Sequence, residues 1–289
     1  MLALQLAITG LQTGAIYALT AVGFSLIFGS TRIFHFSHGA TFIIAAYLFY
    51  FMDVSGYGVL LSILASASGA IVFGLLMYRL VYVPIQRDDG SFFTVFVASF
   101  GVGIVVQNVI GMVFGRGYVA VQTSLSKSVE MAEGLYIAPL AWIAILCAAL
   151  FFFALWYFLK FSTTGMALRA LADNPELVSV FGLNPKFISA CAFSIGSLLV
   201  VPAAIIAGAT QGLNPAMGHH VMLISLAATI VGGIGSVTGT LIAGLILGLA
   251  ESMALLYVES QWTEAVTFAI LFLFILIRPS GLLGRSVTH

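Results

Sequence analysis

Charge is what this sequence has least of. Asp, Glu, Lys and Arg make up 7% of its 289 residues, against roughly 25% in a soluble domain, so there is too little charge to clothe a water-facing surface of this size. Net charge is zero, which excludes the basic footprint of a nucleic-acid partner. There are two cysteines, Cys147 and Cys191. They form no CxxC pair and stand near no His cluster, so neither a disulfide framework nor a zinc site is indicated, and no metal is expected. The only lysines are Lys127, Lys160 and Lys186, and none follows the glycine pattern of a nucleotide-binding P-loop. HExxH and GxSxG are missing too, and no paired catalytic residues share one membrane depth, which disfavours an intramembrane enzyme. Carboxylates within the apolar runs are nearly absent. Glu251 alone lies inside one, in a capping or snorkelling position, which argues against an ion-coupled relay.

What is present is apolar. Hydrophobic residues reach 61% and mean hydropathy is +1.15, the composition of a chain whose solvent is lipid. Apolar runs cover 4–29, 33–51, 54–78, 91–115, 135–159, 187–210, 221–257 and 264–277, most matching the roughly 20 residues that a helix needs to span a bilayer. The first run follows no basic stretch and reads as a retained transmembrane helix. The seventh is too long, since about 37 residues make a helix of about 55 Å. Gly232, Gly233, Gly235, Ser236 and Gly239 supply the break. The fold class is therefore all-α: one domain over 1–289, a polytopic transmembrane bundle of about eight or nine spans with a glycine-broken segment near 232–239.

The few charges orient the chain. If the broken segment crosses twice, Arg32, Arg79, Arg87, Lys160, Arg169, Lys186, Arg278 and Arg285 fall on one side and Arg116 and Lys127 on the other. Basic residues concentrate in cytoplasmic loops, so this places the N-terminus outside and the C-terminus inside. A single crossing would make the split six against four. Two loops are long enough for structure of their own. The outer one, 116–134, carries Glu130 and Glu133. In the inner one, 160–186, Asn174 suits an N-cap, Pro175 the first helical position, Glu176 the positive end of the dipole and Gly182 the C-terminal stop. The resulting two-turn helix carries Leu177, Val178, Val180 and Phe181 and must dock on something, its own subunit or a cytoplasmic partner.

Within the runs the polar residues are small. Gly10, Gly14 and Ala18, with Thr13 and Tyr17 beside them, and Ser99, Gly103, Gln107, Gly111 and Gly115 recur at helical spacing as packing seams. Gln107 and Asn108 differ, because adjacent amides in mid-span need partners or water. His38, in FHFSHG, reads as a satisfied core histidine or a pathway residue. The adjacent His219 and His220 suit a helix start better than a metal site. Thr13, Tyr17, His38, Gln107 and Asn108 are thus the translocation-path candidates.

In order and spacing, GLQTGAIYALTAVGFSLIFG with FHFSHG, RALADNPELVSVFGLNP, IVGGIGSVTGTLIAGLILGLAES and IRPSGLLG resemble the permease subunits of branched-chain amino-acid ABC importers, the LivH type, over essentially the whole chain. The resemblance implies a bacterial inner-membrane permease that pairs with a second, homologous permease of LivM type. It also implies two cytoplasmic ATPases of LivG and LivF type, which hold ATP and Mg, and a periplasmic or lipid-anchored binding protein. No cofactor is expected in this chain itself. Loop 160–186 would be the ATPase-coupling loop, with Arg169, Asp173, Asn174, Pro175, Glu176, Phe181 and Gly182 as its site residues. Leu171, Ala172 and Asp173 depart there from the Glu-Ala-Ala of importers in general. Related permeases carry urea, amides, aromatic acids or sugars, so the resemblance leaves the solute open. An ion-coupled carrier or passive channel is the alternative class, separable by whether uptake survives ATP depletion.

Overall fold

The computed structural model describes residues 2–88, 90–132 and 135–284; Asp89, Glu133 and Arg285 lie outside them. Twelve α-helices are present among the described residues: α1 (Leu2–Thr31), α2 (His38–Val54), α3 (Val59–Leu76), α4 (Val83–Arg87), α5 (Phe92–Phe114), α6 (Pro139–Phe161), α7 (Thr163–Asp173), α8 (Pro175–Val180), α9 (Pro185–Thr210), α10 (Met217–Gly232), α11 (Val237–Ala254) and α12 (Thr263–Ile277). A π-helical turn, Met77–Tyr82, joins α3 to α4 in one rod, Val59–Arg87. Pro84 follows at the start of α4, where the wider turn accommodates a ring that would clash with an ordinary preceding turn. Seven helices have the length and apolar composition of membrane spans, and α2 and α10 are shorter apolar helices.

Contacts give each pass its direction. Along α1, Gly10 lies against Leu249 and Ser252, Gly14 against Leu245 and Gly29 against Gly235, so α11 runs antiparallel to it along nearly its whole length. The small residues at Gly10 and Gly14 form the packing seam their spacing predicts. α7 and α8 sit at the C-terminal end of α1, where Arg32 donates to the Ala172 carbonyl at 3.3 Å; this is the α7 face. At the opposite end the 116–134 loop pairs with the chain after α9 through Val119 and Leu213 and folds into an antiparallel hairpin of β1 (Val129–Ala132) and β2 (Leu135–Ile137); this is the hairpin face. Arg32, Arg79, Arg87, Lys160, Arg169, Lys186 and Arg278 then lie toward the α7 face, Arg116 and Lys127 toward the hairpin face.

The long seventh segment is two passes. α10 ends at Gly232, Gly233 and Gly235 take φ of 100° and 82°, and Ser236 caps α11 by accepting from the Gly239 N–H at 3.1 Å. A side chain at Gly232 would meet Gly239 backbone at 2.4 Å, so only glycine lets the two helices leave the turn side by side.

Two helices do not start at a membrane face. After Thr31 the chain turns back through 32–37, and α2 begins at His38, whose Nε2 lies 3.0 Å from the Thr20 carbonyl, well inside the bundle. After Thr210 the chain dips likewise through 211–216, and α10 begins beside α2. A side chain at Gly39 would fall 2.0 Å from the Gly218 carbonyl oxygen, and one at Gly218 2.6 Å from that of Gly39. This contact is reciprocal because α1–α2–α3 and α9–α10–α11 repeat one plan in opposite directions: long helix, dip, shorter helix, tight turn, helix. Thr31 and Thr210, Gly39 and Gly218, and Gly56 and Gly235 stand at one offset, and the turns 55–58 and 233–236 each hold two glycines at positive φ. Inverted repeats with broken helices meeting at mid-depth are an architecture of membrane transporters.

Candidate functional site

The first dip is held rigidly. The His35 Nδ1 and the Tyr82 hydroxyl are 2.7 Å apart, and that hydroxyl is 2.7 Å from the Ser99 Oγ. The Ser37 N–H donates to the Ser99 Oγ at 2.8 Å and its hydroxyl to the Ser99 carbonyl. All four residues are buried. Non-helical backbone at membrane depth must satisfy its polar groups within protein or in a water-filled space, and this network does so for the dip. His38 belongs to the wall behind it: its Nε2–H is the proton the Thr20 carbonyl accepts, and its ring packs against Phe24 and His35.

Alternate residues of the dip face the other way. Phe36, Gly39 and Ala40 line a recess with Gly103 of α5 and Gly218, His219 and Met222 of α10. Rings close one end of it. Phe36 packs on Phe100 at 5.1 Å and Phe96 at 5.5 Å, Phe100 on His219 at 5.8 Å, and Phe34 on Phe92 and Phe96 at 5.7 Å. One stripe of α5 thus changes character at the recess: Phe92, Phe96 and Phe100 toward the α7 face, then Gly103, Gln107 and Gly111 toward the hairpin face. Helices that start at the α7 face, α5, α7, α8, α9 and α11, have side-chain N-caps in Ser91, Ser162, Asn174, Asn184 and Ser236. The two that start at mid-depth, α2 and α10, have none.

The other path candidates divide. Gln107 is half-buried on the stripe, while Asn108 beside it is exposed, donates to the Ile104 carbonyl at 2.8 Å and accepts from Arg116 at 3.5 Å. Thr13 and Tyr17 lie elsewhere. Thr13 backs onto Gly248 in the α1–α11 seam, and Tyr17 is buried with its hydroxyl beside the Glu251 carboxylate. Beside that pair, His220 and Glu264 are joined at 3.1 Å. Glu251 is therefore one of four polar groups drawn from α1, α10, α11 and α12, on the far side of α10 from the recess. The two adjacent histidines serve a helix start, His219 toward the recess and His220 toward α12. Neither Phe36, Phe100 nor the His220–Glu264 pair was readable from spacing, since each joins residues far apart in the chain. Among the described residues no group of three or more His, Cys, Asp or Glu is placed to hold a metal.

On the α7 face, the loop 160–186 holds two helices where its caps and stops predict one. Ser162 caps α7, and the Asn174 side chain accepts from both Glu176 and Leu177 N–H groups at 2.9 and 3.1 Å. Gly182, at φ 75°, ends α8 with bonds from its own N–H to Ser179 and from Leu183 to Val178, the αL termination its position predicts. Leu168, Leu171 and Val178 dock the pair on Ile188 and Ala192 of α9. Val180 and Phe181 remain 78% and 80% exposed. Arg169 reaches the Lys160 carbonyl at 3.5 Å; Asp173 and Pro175 flank the Asn174 cap.

Comparison with known proteins agrees with this architecture. Over residues 6–276 the chain matches the family described as branched-chain amino acid transport system / permease component. It is 30% identical over 300 residues to the high-affinity branched-chain amino acid transport system permease protein LivH of Escherichia coli K12, covering 98% of this chain and 96% of that protein. To the corresponding permease protein BraD of Pseudomonas aeruginosa it is 30% identical over 296 residues, again 98% and 96% of the two chains. Its fold is similar to a chain of the structure of PsaBC from Streptococcus pneumoniae in complex with Fab, with a TM-score of 0.55 and 14% identity over 94% of this chain and 91% of that one. With the inverted half-bundles, the broken helices and full-length relatives in accord, the chain belongs to the family of permease components of branched-chain amino acid transport systems.

Proposed function

We propose that this protein is one of two paired permeases in an ATP-driven importer and that it translocates a branched-chain amino acid or a related amino acid, amide or organic acid. A binding protein delivers the solute at the hairpin face. Two cytoplasmic ATPases, which hold ATP and Mg, act at the α7 face, and the chemistry of hydrolysis is theirs. The observation that carries this reading is α8, a capped two-turn helix at whose end Val180 and Phe181 stand outward at high exposure, in a sequence without a P-loop. Large apolar side chains presented together at a polar face mark a docking surface. The excess of Lys and Arg on the α7 face makes that face cytoplasmic, with the N-terminus outside. Arg169, Asp173, Asn174, Pro175, Glu176, Phe181 and Gly182 form the coupling surface in this reading. Movement of α7 and α8 with the closing ATPases switches access of the permease pair.

The test is purification of the tagged protein from its native membrane in mild detergent, followed by uptake in proteoliposomes. A co-purifying P-loop ATPase and second permease, with uptake that stops when ATP is withheld, is the expected result. A solitary species that transports down a gradient without ATP would make it a channel or carrier. Gly182→Asp sharpens the assignment of the coupling surface: it forces a left-handed backbone on a residue with a Cβ and puts a charge beside Phe181. ATPase attachment and uptake should both fall while the permease stays folded, as read by pull-down and transport.

A further inference from the structure

Gly39 and Gly218 are explained by packing, because their backbones touch. Gly103 is not. A side chain built there meets nothing within 4 Å, so that corner of the recess is open space beside three aromatic rings. Resting on the permease reading above, we propose that this recess is a mid-bundle contact point on the solute path, met by the uncharged side chain of the passing solute, with Phe36, Phe100 and His219 as its contact surface. The rings of Phe96, Phe34 and Phe92, joined through Phe34, then bar the way to the α7 face.

Chemistry and geometry both support an apolar occupant. No Lys, Arg, Asp or Glu lines the recess, and a charged group entering it would lie unpaired in a low-dielectric wall. Ring faces and edges instead favour hydrocarbon and other π-systems. The polar cluster of Tyr17, His220, Glu251 and Glu264 lies across α10, away from this wall. Along α5 the stripe from the hairpin face runs through Gly111, where Arg116 and Pro215 pack, then Gln107 and Gly103, and past Gly103 it carries Phe100, Phe96 and Phe92 beside the hydrogen-bonded Ser99. A solute moving from the hairpin face therefore meets rings first at the recess. Its side chain advances by exchanging solute–ring contacts for ring–ring contacts.

The experiment uses the assembled importer in ATP-loaded proteoliposomes with labelled leucine, alanine and lysine as probes. Gly103→Phe should reduce leucine uptake by about tenfold or more by filling the recess. Gly103→Ala should retain most uptake. Gly101→Phe, two positions along α5, where an added side chain also meets nothing within 4 Å, should behave as the unaltered protein. Equal uptake by Gly103→Phe and the unaltered protein, or equal loss in Gly101→Phe, would remove the recess from the path. Phe100→Ala should lower the ratio of leucine to alanine uptake by about tenfold with the complex intact; an unchanged ratio would overturn the side-chain assignment. A readout independent of solute separates this proposal from the one it rests on. With Cys147 and Cys191 replaced by Ala, Gly103→Cys should react with a membrane-impermeant thiol reagent, while Phe153→Cys, on the exposed side of α6, should not. Failure of Gly103→Cys to react overturns the recess whatever is carried. Labelling there, with none of the three probes transported by the unaltered protein, overturns the solute class and leaves the recess standing.

Discussion

The two dips occupy equivalent places in the inverted repeats but are built differently. The first, 32–37, is held by side chains: His35, Ser37, Tyr82 and Ser99 form a buried hydrogen-bonded chain from three segments. The second, 211–216, is held by backbone, through the mutual bonds of Val119 and Leu213 at 2.9 and 2.6 Å, to a loop on the hairpin face. Equivalent topology thus yields one dip anchored deep in the bundle and one tied to the hairpin face. Buried networks fail expensively when one member is removed, because the others keep their desolvation cost. A backbone bridge at an exposed loop loses far less. The recess therefore has one fixed wall and one wall coupled to the hairpin face.

Three substitutions break or sharpen that contrast, in falling order of effect. Gly39→Val strikes the point shared by both dips: its side chain would meet the Gly218 carbonyl, and no flexible group can yield. Destabilisation above about 3 kcal/mol, the upper range for overpacking, is expected, seen as loss of monodisperse protein in detergent. Tyr82→Phe affects only the first dip. Removing the hydroxyl leaves the His35 Nδ1 and Ser99 Oγ without their shared partner, at about 2 kcal/mol, measured as a lower thermal midpoint; an unchanged midpoint would show that the network does not anchor the dip. Val119→Pro removes one donor of the second dip's bridge and should cost about 1 kcal/mol or less. Under the proposed function its main effect should be reduced uptake with near-normal stability. If Val119→Pro destabilises more than Tyr82→Phe, the two dips are anchored in the opposite order.

Much of this fold could be read before any coordinates. Apolar runs located most spans to within a few residues, since transfer from water to lipid is a per-residue free energy that any window can sum, though 54–78 stopped nine short of the rod's end at Arg87. The run 221–257 announced its own break, because it was too long to be one helix and its glycines were the only residues able to turn it. The cap at Asn174 and the stop at Gly182 were local chemistry and stood where expected. The run 33–51 was misleading in one respect. Ile33, Phe34 and Phe36 are apolar enough to extend a helix, yet they belong to a dip, and hydropathy records that a residue avoids water but not the depth at which it does so.

The path candidates show the same division. Gln107 lies on the stripe that approaches the recess and His38 in the wall behind it, while Asn108 faces outward and Thr13 and Tyr17 lie in a different seam. Helical spacing places residues on a common face of one helix but is silent about what that face meets. Composition, span pattern, the glycine break, the Asn174 cap and the Gly182 stop were determined by the sequence alone, because each rests on interactions within a few residues or with the solvent. Where α2 and α10 begin, which rings gather at Gly103 and which carboxylates meet His220 were decided only by tertiary structure. Those depend on contacts between segments tens to nearly two hundred positions apart, and pairwise packing of that kind leaves no periodic trace in a single chain.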